Sequence, residues 1–583
     1  MPTSRILPPH SAPARAVRAI AGTLLALLAL SPCRAQQRPA AVPAANFEDV
    51  AAEAGLNATI ISGGEITKKY ILESTGTGVA IFDYDNDGWP DIFFVNGTRL
   101  DLPPGANPSN HLYRNNHDGT FTDVTAAAGL SASGWGQGVC VGDYDNDGWE
   151  DLYITYYGKN RLYHNKGGVF EEVADPAGVA GSGAEWSTGC AFVDYDRDGR
   201  LDLAVASYAD FKLATAPLPG SALTCQWKGI AVFCGPHGLN GSHNRLYRNL
   251  GNAKFQDVTL AAHLEQTAGR FCFSVSPFDF DDDGWPDLYL GCDSAPSILY
   301  HNNRDGTFTD VALLAGAAYN EDGREQSGMG TSIADYDGDG WLDVFRTNFS
   351  EDTSTLYRNR GDGTFTDVTY AAGLGVNTRY LGWGAMFFDF DNDGWPDLIL
   401  ANGHVYPEVD KLKLDVTYHE PRVLYRNNGN GTFTDVSAIA GPAFRVRASG
   451  RGLAVGDLWN DGRQSVVIAN MGASPSLLVN RARTPNHWIE LKTVGTKSNR
   501  DGIGARLKLM NGARTLVDEV RSGSSYMSNS DRRVHFGLGA APKVEYVEVN
   551  WPSGLRERFG KLPLDRVVTL TEGTGEATST VKP

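Results

Sequence analysis

Asp83-Tyr84-Asp85-Asn86-Asp87-Gly88-Trp89-Pro90-Asp91 is the stretch on which the reading of this chain turns. Carboxylates at the first, third, fifth and ninth positions, with a Gly at the sixth, are how a short loop wraps a hard, oxygen-seeking cation. The pattern returns intact at 143–151, 194–202, 279–287, 335–343 and 389–397. A seventh, worn copy reads Asp457-Leu458-Trp459-Asn460-Asp461-Gly462-Arg463-Gln464-Ser465. Successive copies begin 60, 51, 85, 56, 54 and 68 residues apart. The shortest interval is close to one four-stranded propeller blade, and the longer ones read as blades with insertions.

Two further motifs keep the same beat. One is Leu112-Tyr113-Arg114-Asn115, repeated at 162–165, 246–249, 299–302, 356–359 and 424–427, and worn at Leu477-Leu478-Val479-Asn480. The other is Phe-x-Asp/Glu-Val, beginning at Phe121, Phe170, Phe255, Phe308, Phe365 and Phe433. Turn dipeptides such as Asp118-Gly119 separate the two, so each pair reads as a β-hairpin. The seventh Phe-x-Asp-Val is missing after Asn480 and stands instead at Phe47-Glu48-Asp49-Val50. An N-terminal strand that completes the last blade explains this, and closure protects strand edges. The expected fold is therefore all-β: a seven-bladed, calcium-binding β-propeller over 47–483, followed by a small β-sandwich over 484–573. Residues 574–583 are expected to be a disordered tail.

The loops join strands. β-Formers precede each one and follow it, as in Ile92-Phe93-Phe94-Val95. An EF-hand needs a bidentate Glu at position 12. That position holds Phe94, Ile154, Val205, Leu290, Arg346 or Leu400 here. The expected ligands are Asp83, Asp85, Asp87 and Asp91; Asp143, Asp145, Asp147 and Asp151; Asp194, Asp196, Asp198 and Asp202; Asp279, Asp281, Asp283 and Asp287; Asp335, Asp337, Asp339 and Asp343; Asp389, Asp391, Asp393 and Asp397. Magnesium is disfavoured, because it takes few protein ligands in tight octahedral geometry. The seventh loop has Trp459 and Ser465 where carboxylates belong, and tight binding is not expected there. About six Ca²⁺ follow, in a structural role, since an enclosing loop leaves no open position for a substrate. The Trp at position 7 of five loops (Trp89, Trp149, Trp285, Trp341, Trp395) is expected to pack between blades.

The net charge is −18, and nucleic acid is excluded as a partner for so acidic a chain. Residues 1–35 carry four Arg and no acid, with an apolar run from Ala19 to Leu30, and read as a secretory signal. Without them the charge is −22 (−18 less four positive charges). A Pro/Ala linker follows over 36–46, and no later segment reads as transmembrane. Export permits disulfides among the remaining six Cys. Cys225 with Cys234 is the favoured pair, and Cys272 can face Cys292 across the fourth loop. Cys140 and Cys190 stand at similar places in successive blades, either as a pair or as buried free thiols.

The three repeat motifs together resemble FG-GAP/VCBS repeats, the propeller repeats of integrin α-subunits, over roughly 47–480. The remainder resembles an ASPIC/UnbV domain. The residues that carry this are Asn486-His487-Trp488-Ile489, Arg500 to Ala505, Ser522-Gly523-Ser524-Ser525-Tyr526, His535 to Gly539 and Val549 to Gly554. The combination is similar to the cartilage acidic protein family and its bacterial relatives. That resemblance implies architecture and calcium binding, and implies little about activity.

Loops on a rigid scaffold carry function, and two insertions stand out. Residues 203–245 hold Cys225-Gln226-Trp227 and Val232-Phe233-Cys234-Gly235-Pro236-His237; residues 401–423 hold Asn402-Gly403-His404-Val405-Tyr406-Pro407. Both follow the cation loop in their own blades, so both should emerge on one face, either lining a pocket over the channel mouth or sealing it. No hydrolase elbow, zincin, Walker or haem motif is present. The first functional reading is an exported binding or adhesion module for a protein or glycan at the envelope or outside. The alternative is an enzyme at the channel mouth, with His237, His404, Tyr406 and Arg379 as its candidate residues.

Overall fold

Each cation loop is the tight connection of a β-hairpin. In the first sheet, Val79–Phe82 and Asp91–Phe94 flank the loop and pair antiparallel, Val79 opposite Phe94 and Phe82 opposite Asp91. The hairpin His111–Asn115 and Phe121–Asp123 completes four strands. The computed structural model describes residues 45–103, 108–264, 269–412 and 414–580. Among them, seven four-stranded sheets repeat this order. They span 79–123, 135–172, 187–257, 272–310, 331–367, 382–435 and, discontinuously, 450–480 with 47–49. In the last, Phe47 pairs with Asn480 and Asp49 with Leu478, so the outer strand comes from the N-terminal end of the described chain. The first strand of each sheet touches the first strand of the next, and Gly450–Gly456 touches Val79–Phe82, so the ring is closed. Apolar residues from the facing surfaces of neighbouring sheets make the core, as with Ile81, Ile92 and Phe94 against Val467 and Leu477. The export signal expected over 1–35 and nearly all of the 36–46 linker lie outside the described residues.

Residues 487–580 build a separate pair of sheets. One orders Val534–Gly539, His487–Val494 and Val567–Thr571; the other orders Arg514–Glu519, Arg506–Asn511, Val544–Asn550, Leu555–Gly560 and Glu576–Thr580. Leu491, Leu507, Val549 and Leu570 are buried in their shared core. The disordered tail expected over 574–583 does not hold for Glu576–Thr580. That segment adds to the open edge of Leu555–Gly560, with Leu555 opposite Thr580 and Arg558 opposite Glu576. An unpaired strand edge is a template for just such an addition.

The described residues form one compact unit, and one loop of the C-terminal sheets runs down the propeller's axis. Ser522–Asp531 lies among the innermost strands. Val139 N–H donates to the Met527 carbonyl (3.1 Å), Ile81 N–H to Asn529 (3.0 Å), Thr331 N–H to Ser525 (3.1 Å), and Asp531 N–H donates to Val455 (3.0 Å). Tyr526 is wholly buried, its hydroxyl donating to the Thr75 carbonyl at 2.9 Å. The approach is close enough that a Cβ on Gly78 would stand 1.8 Å from the Met527 carbonyl oxygen. A side chain at 78 is excluded by the segment that fills the channel.

Three disulfides are present among the described residues: Cys225–Cys234, Cys272–Cys292 and Cys140–Cys190. The last joins the innermost strands of the second and third sheets, which settles the open choice at that pair in favour of a bond.

Candidate metal centres

Each of the six intact loops uses its first and ninth carboxylates to fix its backbone. In the first, Asp83 accepts from the N–H groups of Asp87 and Gly88, both at 3.0 Å. Asp91 accepts from Tyr84 N–H (3.1 Å) and from Asn115 N–H (2.8 Å). The fourth residue turns left-handed, at φ +55° for Asn86 and +57° for Asn392. Asn tolerates that region, which explains its frequency there. The position-3 carboxylate does little of this work, Asp391 accepting from Asp393 N–H at 3.2 Å. The Oδ1 atoms of Asp85, Asp196, Asp281 and Asp337 are buried and have no hydrogen-bond partner among the described residues. Ligand oxygens of Asp83, Asp85 and Asp91 lie within 4.8 Å of one another, as do those of Asp194, Asp196 and Asp202. Buried, unpartnered carboxylate oxygens converging on one point fit an all-oxygen cation site.

Electrostatics point the same way. Burial pushes Asp91 up to about 9. Asp143 is held at about 8, first by burial and then by Asp501 beside it. Burial holds Asp194 and Asp335 at about 7, with neighbouring loop carboxylates adding to it. Such groups resist ionising together unless a cation joins them.

The seventh loop is the control within the chain. Asp457 still accepts from Asp461 N–H (3.1 Å) and Gly462 N–H (2.6 Å), and Asn460 keeps φ +53°. The turn therefore survives loss of the carboxylates at positions 3 and 9, and Ser465 Oγ is left buried without a hydrogen-bond partner among the described residues.

The sequence reading passed over the variable residue of the Leu-Tyr-x-Asn motif. It is Arg114, His164, Arg248, His301, Arg358 and Arg426 in the intact repeats, always basic. Arg248 meets Asp196 at 2.7 Å and Arg426 meets Asp391 at 3.0 Å. His164 Nδ1 lies 3.3 Å from Asp151, and that contact raises its pKa. An Arg at this position offsets part of the four-carboxylate charge in four loops, and a His, when protonated, does so in the other two.

The position-7 Trp side chains pack as structural groups. Trp89 stacks on His117 of its own sheet at 4.7 Å. Trp285 lies under Arg197 of the preceding loop at 5.0 Å, and Trp395 under Arg514 of the C-terminal sheets at 3.8 Å. Packing thus runs within sheets and to the C-terminal sheets as well as between neighbours.

Those C-terminal sheets sit on the cation-loop face. Asp501 accepts from Asp143 N–H (2.7 Å), Glu519 from Asp279 N–H (3.2 Å), and Arg514 donates to the Gly394 carbonyl (2.6 Å). The insertions occupy the opposite end, where Phe211, Val232, Phe233, Val405, Tyr406 and Val409 share one apolar cluster with Tyr526. Of the four residues weighed for catalysis, His404 is fully buried and Tyr406 nearly so. Their rings are 5.5 Å apart, with Trp227 4.9 Å from His404 and Phe233 4.7 Å from Tyr406. Burial lowers His404 to about 3, and its Nδ1 accepts from Tyr406 N–H at 3.2 Å, so the ring is neutral with its proton on Nε2. His237 and Arg379 are exposed, and Arg379 donates to the Asp415 carbonyl. The inserts cover the channel mouth rather than opening a cleft around these four residues.

A closed ring of cation-loop hairpins with a β domain on the loop face defines the class. The FG-GAP-like repeat model matches residues 83–154, 143–205, 231–290, 279–346 and 335–400, and the ASPIC and UnbV model matches 495–577. The chain belongs to the FG-GAP-like repeat family and carries a C-terminal ASPIC and UnbV domain. It is similar to cartilage acidic protein 1 of Homo sapiens, 25% identical over 505 residues that cover 82% of this chain and 69% of that one. Integrin alpha-3 of Cricetulus griseus is 25% identical over 162 residues, 26% of this chain and 15% of that one. Among solved structures, a Burkholderia pseudomallei lectin aligns with TM-score 0.43 at 8% identity, covering 70% of this chain and 97% of the lectin. No helix among the described residues is long and apolar enough to cross a membrane.

Proposed function

We propose that this protein is an exported binding module, a propeller made rigid by about six Ca²⁺ that presents its surface to a protein or glycan at the cell envelope or outside. The observation that carries this reading is the filled axis: Ser522–Asp531 plugs the channel and the inserts bury His404 and Tyr406 over it. A propeller enzyme with its site at the channel mouth needs that space open. Similarity to an integrin α-subunit over the repeats supports a binding role, and three disulfides fit an oxidising compartment. In the loops, the first, third, fifth and ninth Asp would hold the ion, which would lock each hairpin in place.

The test is capture on immobilised mature protein, from a glycan array and from envelope extract, in calcium and then in chelator. A ligand retained in calcium and released by chelator is the expected result. Turnover of a small molecule by the purified protein, abolished by His404→Ala while the melt is preserved, would overturn it.

A further inference from the structure

A cleft of about 690 Å³ lies between the loop face and the C-terminal domain, bordered by the first, second and seventh cation loops and by the strands around Lys492 and Val567. Five cationic residues line it. Two are committed: Arg532 pairs with Glu150 and with Asp501 (3.0 Å), and Arg533 with Asp531 and with Glu490 (3.1 Å). Lys492, Arg500 and Arg566 line the same cleft, and none has a hydrogen-bonded or ion-paired side-chain partner among the described residues. Lys492 is near enough to Asp83 to favour its ionised form. That carboxylate belongs to the first cation loop, and an ion held there would take it up and leave Lys492 free. The cleft is also lined by Asp83, by Glu150, Asp501 and Asp531, which pair with Arg532 and Arg533, and by the hydroxyl of Thr569.

Three cations without an ion pair in a concave site are an anion-binding arrangement, because the carboxylates nearest them are engaged by Arg532, by Arg533 or by the first cation loop. The volume is that of a small-molecule site and excludes a folded domain. A hydroxyl group beside the cations suits a ligand with hydroxyls as well as negative charge. We infer that this cleft binds a short acidic oligosaccharide, its carboxylate or sulfate groups held by Lys492, Arg500 and Arg566. This rests on the reading of the protein as a glycan- or protein-binding module and names one site and ligand class for it.

The experiment measures affinity by calorimetry, in calcium, for three probes. These are an oligogalacturonate tetramer, a sulfated tetrasaccharide and the neutral cellotetraose. The proteins are wild type and Lys492→Ala/Arg566→Ala. Neither substituted side chain is hydrogen-bonded or ion-paired among the described residues, and the melt in calcium is recorded for both proteins as the control for folding. The expected result is at least tenfold tighter binding of one acidic probe than of cellotetraose, lost by tenfold or more in the variant, with the better acidic probe identifying carboxylate or sulfate. Acidic binding that the variant leaves unchanged overturns the site. Failure of both acidic probes, or equal binding of all three, overturns the ligand class. Both failures leave the broader binding reading standing if the array or extract still yields a calcium-dependent ligand.

Discussion

The side-chain amide of Asn115 donates to the carbonyl of Leu458 at 2.8 Å, across 343 residues of sequence. Asn115 ends the Leu-Tyr-x-Asn motif of the first sheet, and Leu458 is the second residue of the seventh loop. The same bond joins every neighbouring pair: Asn165 to Tyr84 (2.8 Å), Asn249 to Tyr144 (2.8 Å), Asn302 to Tyr195 (2.9 Å), Asn359 to Phe280 (2.7 Å), Asn427 to Tyr336 (2.8 Å) and Asn480 to Phe390 (2.7 Å). Each Asn thus staples its sheet to the loop of the sheet before it, and the first staple closes the circle.

Asn359→Ala removes donors from two buried carbonyls, Phe280 and Leu342. Leaving buried acceptors without partners costs about 1–3 kcal/mol each. Urea unfolding in calcium should show a loss of at least about 1 kcal/mol while Val376→Ala, at an exposed side chain, stays within about 0.5 kcal/mol. Equal stability of the two variants would remove the staple from the account.

The axial plug gives a graded series at one position. Tyr526→Phe loses one buried hydrogen bond, worth about 1 kcal/mol. Tyr526→Ala also empties the space between Phe273 and Trp383, whose rings lie 5.4 and 4.9 Å away. Loss of a buried aromatic ring costs about 3–5 kcal/mol. The unfolding midpoint should fall in that order. A Tyr526→Ala protein as stable as wild type would mean that the loop does not fill the channel in solution.

The fold was legible because its grammar is short-range and repeated. The Asp loops, the Asn motif and the displaced Phe47-Glu48-Asp49-Val50 together indicate strand order and closure, since a hairpin is specified within a dozen residues. The plug was not legible. Ser522-Gly523-Ser524-Ser525-Tyr526 carries the family resemblance without any apolar run that would announce burial, and that burial depends on partners such as Val139 and Thr331, far away in sequence. The basic residue beside each Asn was visible in the sequence and went unread, because its carboxylate partners lie in the preceding motif of the same repeat. His404 was singled out for its polar, aromatic surroundings, and those surroundings bury it.

Without metal, stability should fall as pH rises, and the stabilisation given by calcium should grow. Unfolded Asp residues ionise near 4, whereas burial holds Asp91 at about 9 and Asp143 at about 8 in the folded metal-free protein. Between those limits the folded state binds more protons than the unfolded state, so stability falls as pH rises. In chelator the melting temperature should drop from pH 5 to pH 8. A bound dication displaces those protons, so the stabilisation given by calcium should grow over the same range. A calcium effect that is constant with pH would contradict the placement of these carboxylates around the ion.

The Cys140–Cys190 bond joins the innermost strands of two sheets over a separation of 50 residues. Closing a loop of that length constrains the unfolded chain by about 2–4 kcal/mol. The double variant Cys140→Ser/Cys190→Ser should melt correspondingly lower while keeping its calcium stoichiometry. Unchanged melting would show that the pair is not bonded in the purified protein.

The most direct test is calorimetric titration of the demetallated protein with calcium, with melting followed in parallel. The account predicts six Ca²⁺ per chain, none at the loop that begins with Asp457, and a melting temperature that rises with free calcium by mass action, about 2.7 kcal/mol per site at a hundredfold excess over Kd. No binding heat, and an identical melt in calcium and in excess chelator, would contradict it.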